Sequence, residues 1–142
     1  MTKLDNRIFS IDVLLVTGTQ EKADLIVWDA DERNIVQIDF KFHDQQISKR
    51  ADNYFAALQL IRTELEPDGV LLVCYGASLN VYPSPMAFDM GDAEKAYKLE
   101  FGKNAELTNL VSIFATGSDV VPATVDEQNA FYERWTNWGD SD

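Results

Sequence analysis

The chain has 142 residues, 46% of them hydrophobic, which fits one globular domain over residues 1–142. Its 24 acidic and 12 basic residues give a net charge of −12, which disfavours nucleic-acid binding and favours a basic protein partner. No apolar run is long enough to span a membrane, no signal peptide is recognised, and one cysteine allows no internal disulfide. We therefore expect a cytoplasmic protein without membrane association, although the acidity also fits solubility alone.

Three strands are predicted in the first 42 residues. The segment RIFSIDVLLV, at 7–16, has apolar residues at alternate positions from Phe9 to Leu15. The segments ADLIVWDA, at 23–30, and IVQIDFKF, at 35–42, follow after short polar turns. Connections this short predict an antiparallel meander.

A helix and a buried strand are predicted next. The apolar residues of ISKRADNYFAALQLIRTELE, at 47–66, recur every three or four positions, which is typical of a helix. Pro67 and Gly69 end that helix. The segment VLLVCYG, at 70–76, is apolar on both faces, which indicates a central strand in which Cys74 is buried and unreactive.

The rest of the chain begins with an irregular stretch from Gly76 to Lys95. Two further strands are predicted at 96–101 and 110–114, and a final helix at 124–139. Thr124 and Glu127 form a T-x-x-E capping box at its start. Its aromatic stripe is predicted to pack on the sheet, and it comprises Phe131, Trp135 and Trp138.

The element order is therefore β-β-β-α-β, a loop, then β-β-α. Strands and helices are segregated more than alternated, which is typical of the α+β class. The sequence predicts a largely antiparallel sheet of about six strands, with the helices packed on one face.

The segment VQIDFKFHD, from Val36 to Asp44, contains Asp39 and Lys41 in a D-x-K spacing. With Asp24 on the preceding strand, residues 7–76 resemble metal-dependent nucleases that carry a D…(D/E)-x-K motif. The resemblance implies a divalent metal held by the two carboxylates and a lysine that positions the attacking water. Six residues precede RIFSIDVLLV in this sequence, so the acidic helix that the family has before its first strand is not expected here.

The alternative is that Asp39 and Lys41 belong to the polar face of a half-buried strand, with no metal and no cofactor. The single histidine, His43, is expected in solvent at the end of that strand, so no catalytic pair with a second histidine exists. No cysteine and histidine spacing typical of a metal site is present.

The loop at 76–91 is the second candidate site, because long irregular loops in compact domains are often functional. The residues that we predict to contact a partner are Asn80, Tyr82, Met86 and Asp89. The alternative is that apolar residues of this loop only close the edge of the sheet, namely Val81, Tyr82, Met86 and Phe88.

Residues 55–135 resemble an uncharacterised family of small bacterial proteins. The segments that carry the resemblance are ALQLIRTELE, CYGASLNVYPSPMAFDMG, KAYKLEFG and ATVDEQNAFYERW. Pro85 replaces the glycine expected after Tyr-Pro-Ser. The resemblance implies no catalytic residue, because that family has no established activity. In size and charge the chain is also similar to the acidic immunity proteins that sequester bacterial toxins.

The sequence thus predicts a non-enzymatic, immunity-like protein that binds a basic partner through its acidic surface and the 76–91 loop. The alternative function is a metal-dependent nuclease or hydrolase that uses Asp24, Asp39 and Lys41. The oligomeric state is left open.

Overall fold

The computed structural model describes residues 4–85, 91–105 and 107–140. Its main element is a five-stranded antiparallel sheet with the strand order β4-β3-β2-β1-β5. The strands are β1 (Asn6–Leu14), β2 (Gln20–Trp28), β3 (Val36–Phe42), β4 (Gln45–Ala51) and β5 (Leu71–Val73). Helix α1 (Tyr54–Leu65) carries the chain from the β4 edge to the β5 edge.

The second half of the chain forms a smaller antiparallel sheet with the order β6-β7-β8. Its strands are short, and they are β6 (Val81–Tyr82), β7 (Lys95–Lys98) and β8 (Leu110–Ser112). Helix α2 (Val125–Asp140) follows. The α+β class is confirmed, but the prediction of one sheet of about six strands is wrong, because the described residues form eight strands in two sheets.

Strand alternation positions the core between the larger sheet and α1. Side chains that share one face of the sheet are almost fully buried, namely Ile11, Val13, Leu25, Val27, Ile38 and Phe40. Helix α1 contributes Phe55, Leu58, Ile61 and Leu65 to the same core. Each such side chain stabilises the fold by about 1.5–3 kcal/mol relative to leaving it exposed.

The prediction of a helix from Ile47 is wrong, because residues 45–51 form β4. Ile47 is 3% exposed and pairs with Phe40 of β3, so a strand buries it where the sequence pattern favoured a helix. A two-residue turn at 43–44 joins the strands, and His43 adopts a left-handed φ of 55° that suits such turns. Helix α1 begins only after Asn53, whose side chain accepts a hydrogen bond from the amide of Ala56.

A buried polar network holds α1 and α2 together. The guanidinium of Arg62, in α1, is 2% exposed and donates to Gln128 Oε1 at 2.6 Å and to the Ala123 carbonyl at 2.9 Å. It also donates to the Gly76 carbonyl at 3.2 Å. Burial lowers the pKa of Arg62. A buried charge must be satisfied by hydrogen bonds, so these acceptors determine where α2 lies.

Gln128, in α2, extends this network to the turn that precedes β6. Its Nε2 lies 3.0 Å from the Gly76 carbonyl oxygen, 2.9 Å from that of Ser78 and 2.9 Å from that of Val81. Gly76 and Ser78 belong to irregular backbone and Val81 to the two-residue strand β6, so one side chain supplies hydrogen bonds that a neighbouring strand would otherwise supply.

The capping box of α2 is confirmed. The amide of Glu127 donates to Thr124 Oγ1 at 3.1 Å, and the amide of Thr124 donates to Glu127 Oε1 at 2.9 Å. Within the residues that the structure describes, no helix is both long and apolar enough to cross a membrane.

Candidate functional site

The strand pairing places Asp24, Asp39 and Lys41 on one face of the larger sheet, the face turned away from α1. Asp24 of β2 is directly opposite Lys41 of β3, and Asp39 lies two residues before Lys41 on the same strand. The pairing of these two strands is therefore confirmed. We call this side, with the outward residues of β1 to β4, the open sheet face.

Asp39 is buried, with 7% of its surface exposed, whereas Asp24 and Lys41 are exposed. Trp28 Nε1 donates to Asp39 Oδ2 and Gln37 Nε2 donates to Asp39 Oδ1, each at 2.9 Å. Burial raises the pKa of Asp39, but hydrogen bonds from Ser48, Trp28 and Gln37 outweigh it and hold that pKa below its ordinary value. The carboxylate is therefore ionised at neutral pH, and each of its oxygens already accepts a hydrogen bond.

The sequence correctly predicted the burial of Cys74 and the exposure of His43, but the prediction of a central strand is wrong, because Cys74 follows β5, which is an edge strand of the larger sheet. Cys74 is fully buried, and burial raises the pKa of its thiol to about 11, so it stays protonated at neutral pH. His43 is exposed, with its Nε2 3.1 Å from Glu21 Oε1. Among the described residues, no group of three histidine, cysteine, aspartate or glutamate side chains is arranged to hold a metal ion.

The described part of the 76–91 loop makes contacts within the chain. Asn80 is hydrogen-bonded through Oδ1 to the Ser78 hydroxyl and donates through Nδ2 to the Leu99 carbonyl. The Tyr82 ring stacks on Tyr132 of α2, with ring centroids 3.9 Å apart and planes 11° apart. Partner contact through Asn80 and Tyr82 stays a prediction. Met86 and Asp89 lie outside the described residues.

The aromatic stripe of α2 packs on the chain segment after β7 and does not lie flat on the sheet. Trp135 Nε1 donates to the Glu100 carbonyl at 3.0 Å, and Phe131 packs against Phe101 with ring centroids 4.9 Å apart. The predicted third member of the stripe, Trp138, has a side chain outside the described set. Beside Trp135 lies a small, mainly apolar pocket of about 100 Å³, bordered by Tyr82, Tyr97, Leu99 and Tyr132.

Helices α1 and α2 run antiparallel, and together they form an acidic surface. Gln59 Nε2 donates to Asn129 Oδ1 at 3.2 Å, and the Val125 amide donates to Glu66 Oε2 at 2.8 Å. Five carboxylates belong to α2 and to the turn that follows α1, namely Glu66, Asp68, Asp126, Glu127 and Glu133. Four of these residues are exposed, and Glu66 is partly exposed.

We call these five carboxylates, with the 46% exposed Leu60 of α1, the helical acidic face. None of the five forms an ion pair with a cation in the described part of the chain. Their charges are therefore available to attract a basic molecule from solution.

The open sheet face is balanced in charge. Lys22 Nζ lies 2.7 Å from Asp12 Oδ1, and the Arg50 guanidinium lies 2.6 Å from Asp31 Oδ2. Asp24 has Lys41 as its cross-strand neighbour. The net negative charge of the molecule is thus not spread evenly over its surface.

Sequence reasoning did not identify the helical acidic face. One signal was present, because Asp126 and Glu133 are seven residues apart and so share one side of the predicted last helix. The neighbouring Glu66 and Asp68 follow α1, about sixty residues earlier in the chain, and only the docking of α2 on α1 brings the two groups together.

Comparison of the chain with protein-family models and with curated proteins gives no match.

Proposed function

We propose that this protein is a non-enzymatic, immunity-like binding protein that sequesters a basic protein partner. The helical acidic face is the main docking surface, and the 76–91 loop adds Tyr82, which stacks on Tyr132 of the same helix α2. The observation that carries the proposal is a difference in charge balance, because the five carboxylates of the helical acidic face have no ion pair within the described residues while the outward charges of the open sheet face are balanced.

The physical basis is electrostatic steering. A surface that carries one sign of charge raises the association rate of an oppositely charged partner by about 10- to 1000-fold, and salt reduces this gain. The side chain of Leu60 in α1 is 46% exposed and offers an apolar contact on the same pair of helices. Apolar contacts contribute affinity at the centre of an interface, whereas charged groups mainly determine rate and selectivity.

The test begins with the tagged protein in its native cells. A pull-down at low salt, read by mass spectrometry, is expected to recover one basic protein in a near one-to-one ratio, and high salt is expected to release it. The association rate of that partner is then measured with purified proteins at several salt concentrations. A rate that does not depend on salt would contradict the proposal.

Matched charge reversals locate the surface. Asp68→Lys and Glu133→Lys each change the charge of the helical acidic face by two units, and we expect each to slow association by roughly threefold to tenfold. Asp24→Lys makes the same charge change on the open sheet face and serves as the control. Equal slowing by all three variants would show that only net charge matters and that the helical acidic face is not the docking surface.

The alternative function is a metal-dependent nuclease or hydrolase that uses Asp24, Asp39 and Lys41. It is favoured by one observation, the shared face on which the strand pairing brings these three side chains together. Asp39 is poorly placed to bind a divalent cation, because Trp28 and Gln37 each donate a hydrogen bond to one of its two carboxylate oxygens. A bound cation would have to share the carboxylate oxygens with these two donors or displace the donors.

Calorimetric titration with Mg²⁺ or Mn²⁺ tests this alternative. Binding to the wild-type protein that Asp39→Asn abolishes would support a metal site, since the variant removes one negative ligand. Asp44→Asn, at an exposed turn, is the control for loss of one charge. Identical titrations of wild type and Asp39→Asn would remove the hydrolase alternative.

A further inference from the structure

We propose that the free edge of β4 pairs with the β4 edge of a second copy of this chain. The result is a two-fold symmetric dimer in which two five-stranded sheets join into one continuous sheet. This inference is independent of the proposed partner binding, because it uses a different surface.

The β4 edge is long and regular. In the described part of the chain, β4 pairs with β3 alone, and all seven residues from Gln45 to Ala51 are in continuous register with it. The strand contains no proline, no glycine and no bulge. An edge of this kind presents a row of unpaired backbone N–H and C=O groups to any approaching strand. The opposite edge strand, β5, has only three residues.

Charged side chains often protect such an edge, but those of β4 are held by its own molecule. Lys49 Nζ lies 2.9 Å from Glu64 Oε1 of α1, and Arg50 pairs at 2.6 Å with Asp31 in the turn between β2 and β3. Both partners lie on the protein side of β4. The two positive charges are therefore neutralised locally, which lowers the repulsion between two such edges.

The charge of β4 limits the repulsion between two copies that approach at this strand. Two chains that each carry −12 repel one another over most of their surface. In the larger sheet, β1 has one base and one acid, β2 has one base and two acids, and β3 has one of each. Strand β4 has no acid, and its two bases, Lys49 and Arg50, are each paired with a carboxylate of their own chain, so the strand itself adds little to that repulsion.

The strand is also compatible with itself in the antiparallel direction. The register that pairs all seven residues places Ser48 opposite Ser48 of the partner subunit. Gln46 then faces Arg50 of the partner subunit, and Ile47 faces the partner's Lys49. Within these seven residues no two like charges are directly opposite, and two-fold symmetry repeats each pair, whereas just beyond the strand Asp44 would face Asp52 of the partner subunit.

Sedimentation and light scattering test the oligomeric state. The mass is expected to rise with protein concentration from 16.0 kDa toward twice that value. Because salt screens the repulsion between two negative chains, the dimer should strengthen as salt is added. A complex with a basic partner would weaken under the same change, so the two proposals can fail separately. A mass of one chain at every concentration and salt would overturn the dimer.

Two substitutions at one exposed position test the register. Gln46→Arg places a second guanidinium opposite Arg50 of the partner subunit, twice per dimer, and we expect it to weaken dimerisation about fivefold. Gln46→Glu places a carboxylate opposite Arg50 of the partner subunit and is expected to strengthen dimerisation by a similar factor. Thermal melts of both variants check that the monomer stays folded.

Amide hydrogen exchange locates the contact. In the monomer, only the β4 amides that bond to β3 are protected, and the alternate ones exchange quickly. Dimerisation is expected to protect that alternate set as concentration rises. A dimer whose β4 amides keep their monomer exchange rates, or one that neither Gln46 variant affects, would overturn the proposed contact.

Discussion

The two halves of the molecule are stabilised in different ways. In the first half, β1 to β4 have seven to nine residues each, and alternating apolar side chains bury one face of a complete hydrogen-bond ladder. In the second half, β6 to β8 have two to four residues each. There the buried side chains of Arg62 and Gln128 bond to backbone carbonyls and so replace part of the ladder.

This difference shows where each half is vulnerable. A ladder spreads its stability over many weak and similar contacts, so a single change in it is tolerated. A buried polar network concentrates stability in a few groups, and removing one leaves several others desolvated without partners. Substitutions in the polar network should therefore lower the free energy of unfolding more than substitutions in the larger sheet.

Removal of the Arg62 side chain should cause the largest loss of stability. Arg62→Ala leaves Gln128 Oε1 and the carbonyls of Gly76 and Ala123 without this donor, and we expect the free energy of unfolding to fall by about 3–5 kcal/mol. Leu60→Ala, on the exposed side of the same helix, is the control and should cost about 0.5 kcal/mol or less. Urea denaturation measures the stability of both variants. Similar losses for the two would contradict the view that the buried polar network concentrates stability in a few groups.

Asp39 is the buried acid of the first half, and it should have a smaller, pH-dependent effect. Its pKa is lower in the folded state than the ordinary value near 3.9, so its contribution is complete above about pH 4 and disappears as pH falls through the folded pKa. Asp39→Asn is expected to cost about 1–3 kcal/mol at neutral pH, because a hydrogen-bonded charge is lost.

Unfolding curves measured from acid to neutral pH check this expectation. The difference between wild type and Asp39→Asn should be constant above about pH 5 and should narrow below about pH 4. Asp24→Asn, exposed on the same face, is the control and should show little difference at any pH. If the difference in the free energy of unfolding widened toward acid pH, the pKa of Asp39 would be raised in the folded state and not lowered, which would contradict this prediction.

Substitution of Ala93 by glycine should have the smallest effect on the free energy of unfolding, and it should raise that free energy where the other substitutions lower it. Ala93 is fully buried at the turn that leads into the second sheet, and its φ of 58° lies in the left-handed region that glycine adopts without strain. Ala93→Gly is expected to stabilise the fold by up to about 1 kcal/mol. Ala96→Gly, at an equally buried strand position, should destabilise it instead. The same sign for both variants in thermal or urea unfolding would contradict this account.

Local patterns predicted the elements that local chemistry decides. The first three strands follow from the alternation of apolar residues, and the start of α2 follows from the capping box of Thr124 and Glu127. Strand β4 was missed because Ile47 and Ala51 also have helical spacing. Only the cross-strand contact of Ile47 with Phe40 favours the strand, and that contact depends on β3 being in place.

The candidate sites also have some features that the sequence predicts and others that depend on tertiary contacts. The presence of Asp24, Asp39 and Lys41 on one face follows from strand period and a short turn, both visible in the sequence. The burial of Asp39 depends on the indole of Trp28, eleven residues earlier on the neighbouring strand. The helical acidic face depends on a contact between Gln59 and Asn129, seventy residues apart.

The sequence by itself determined the α+β class, the net charge of −12 and the two faces of each long strand. Those properties follow from composition and from periods of two and about four residues, which act over a few bonds. The tertiary structure decided that the strands divide into two sheets, that α2 docks on α1, and that Glu66 after α1 meets the start of α2. These outcomes depend on Arg62 and Gln128 finding carbonyl acceptors far along the chain, and no local pattern encodes which acceptors they meet.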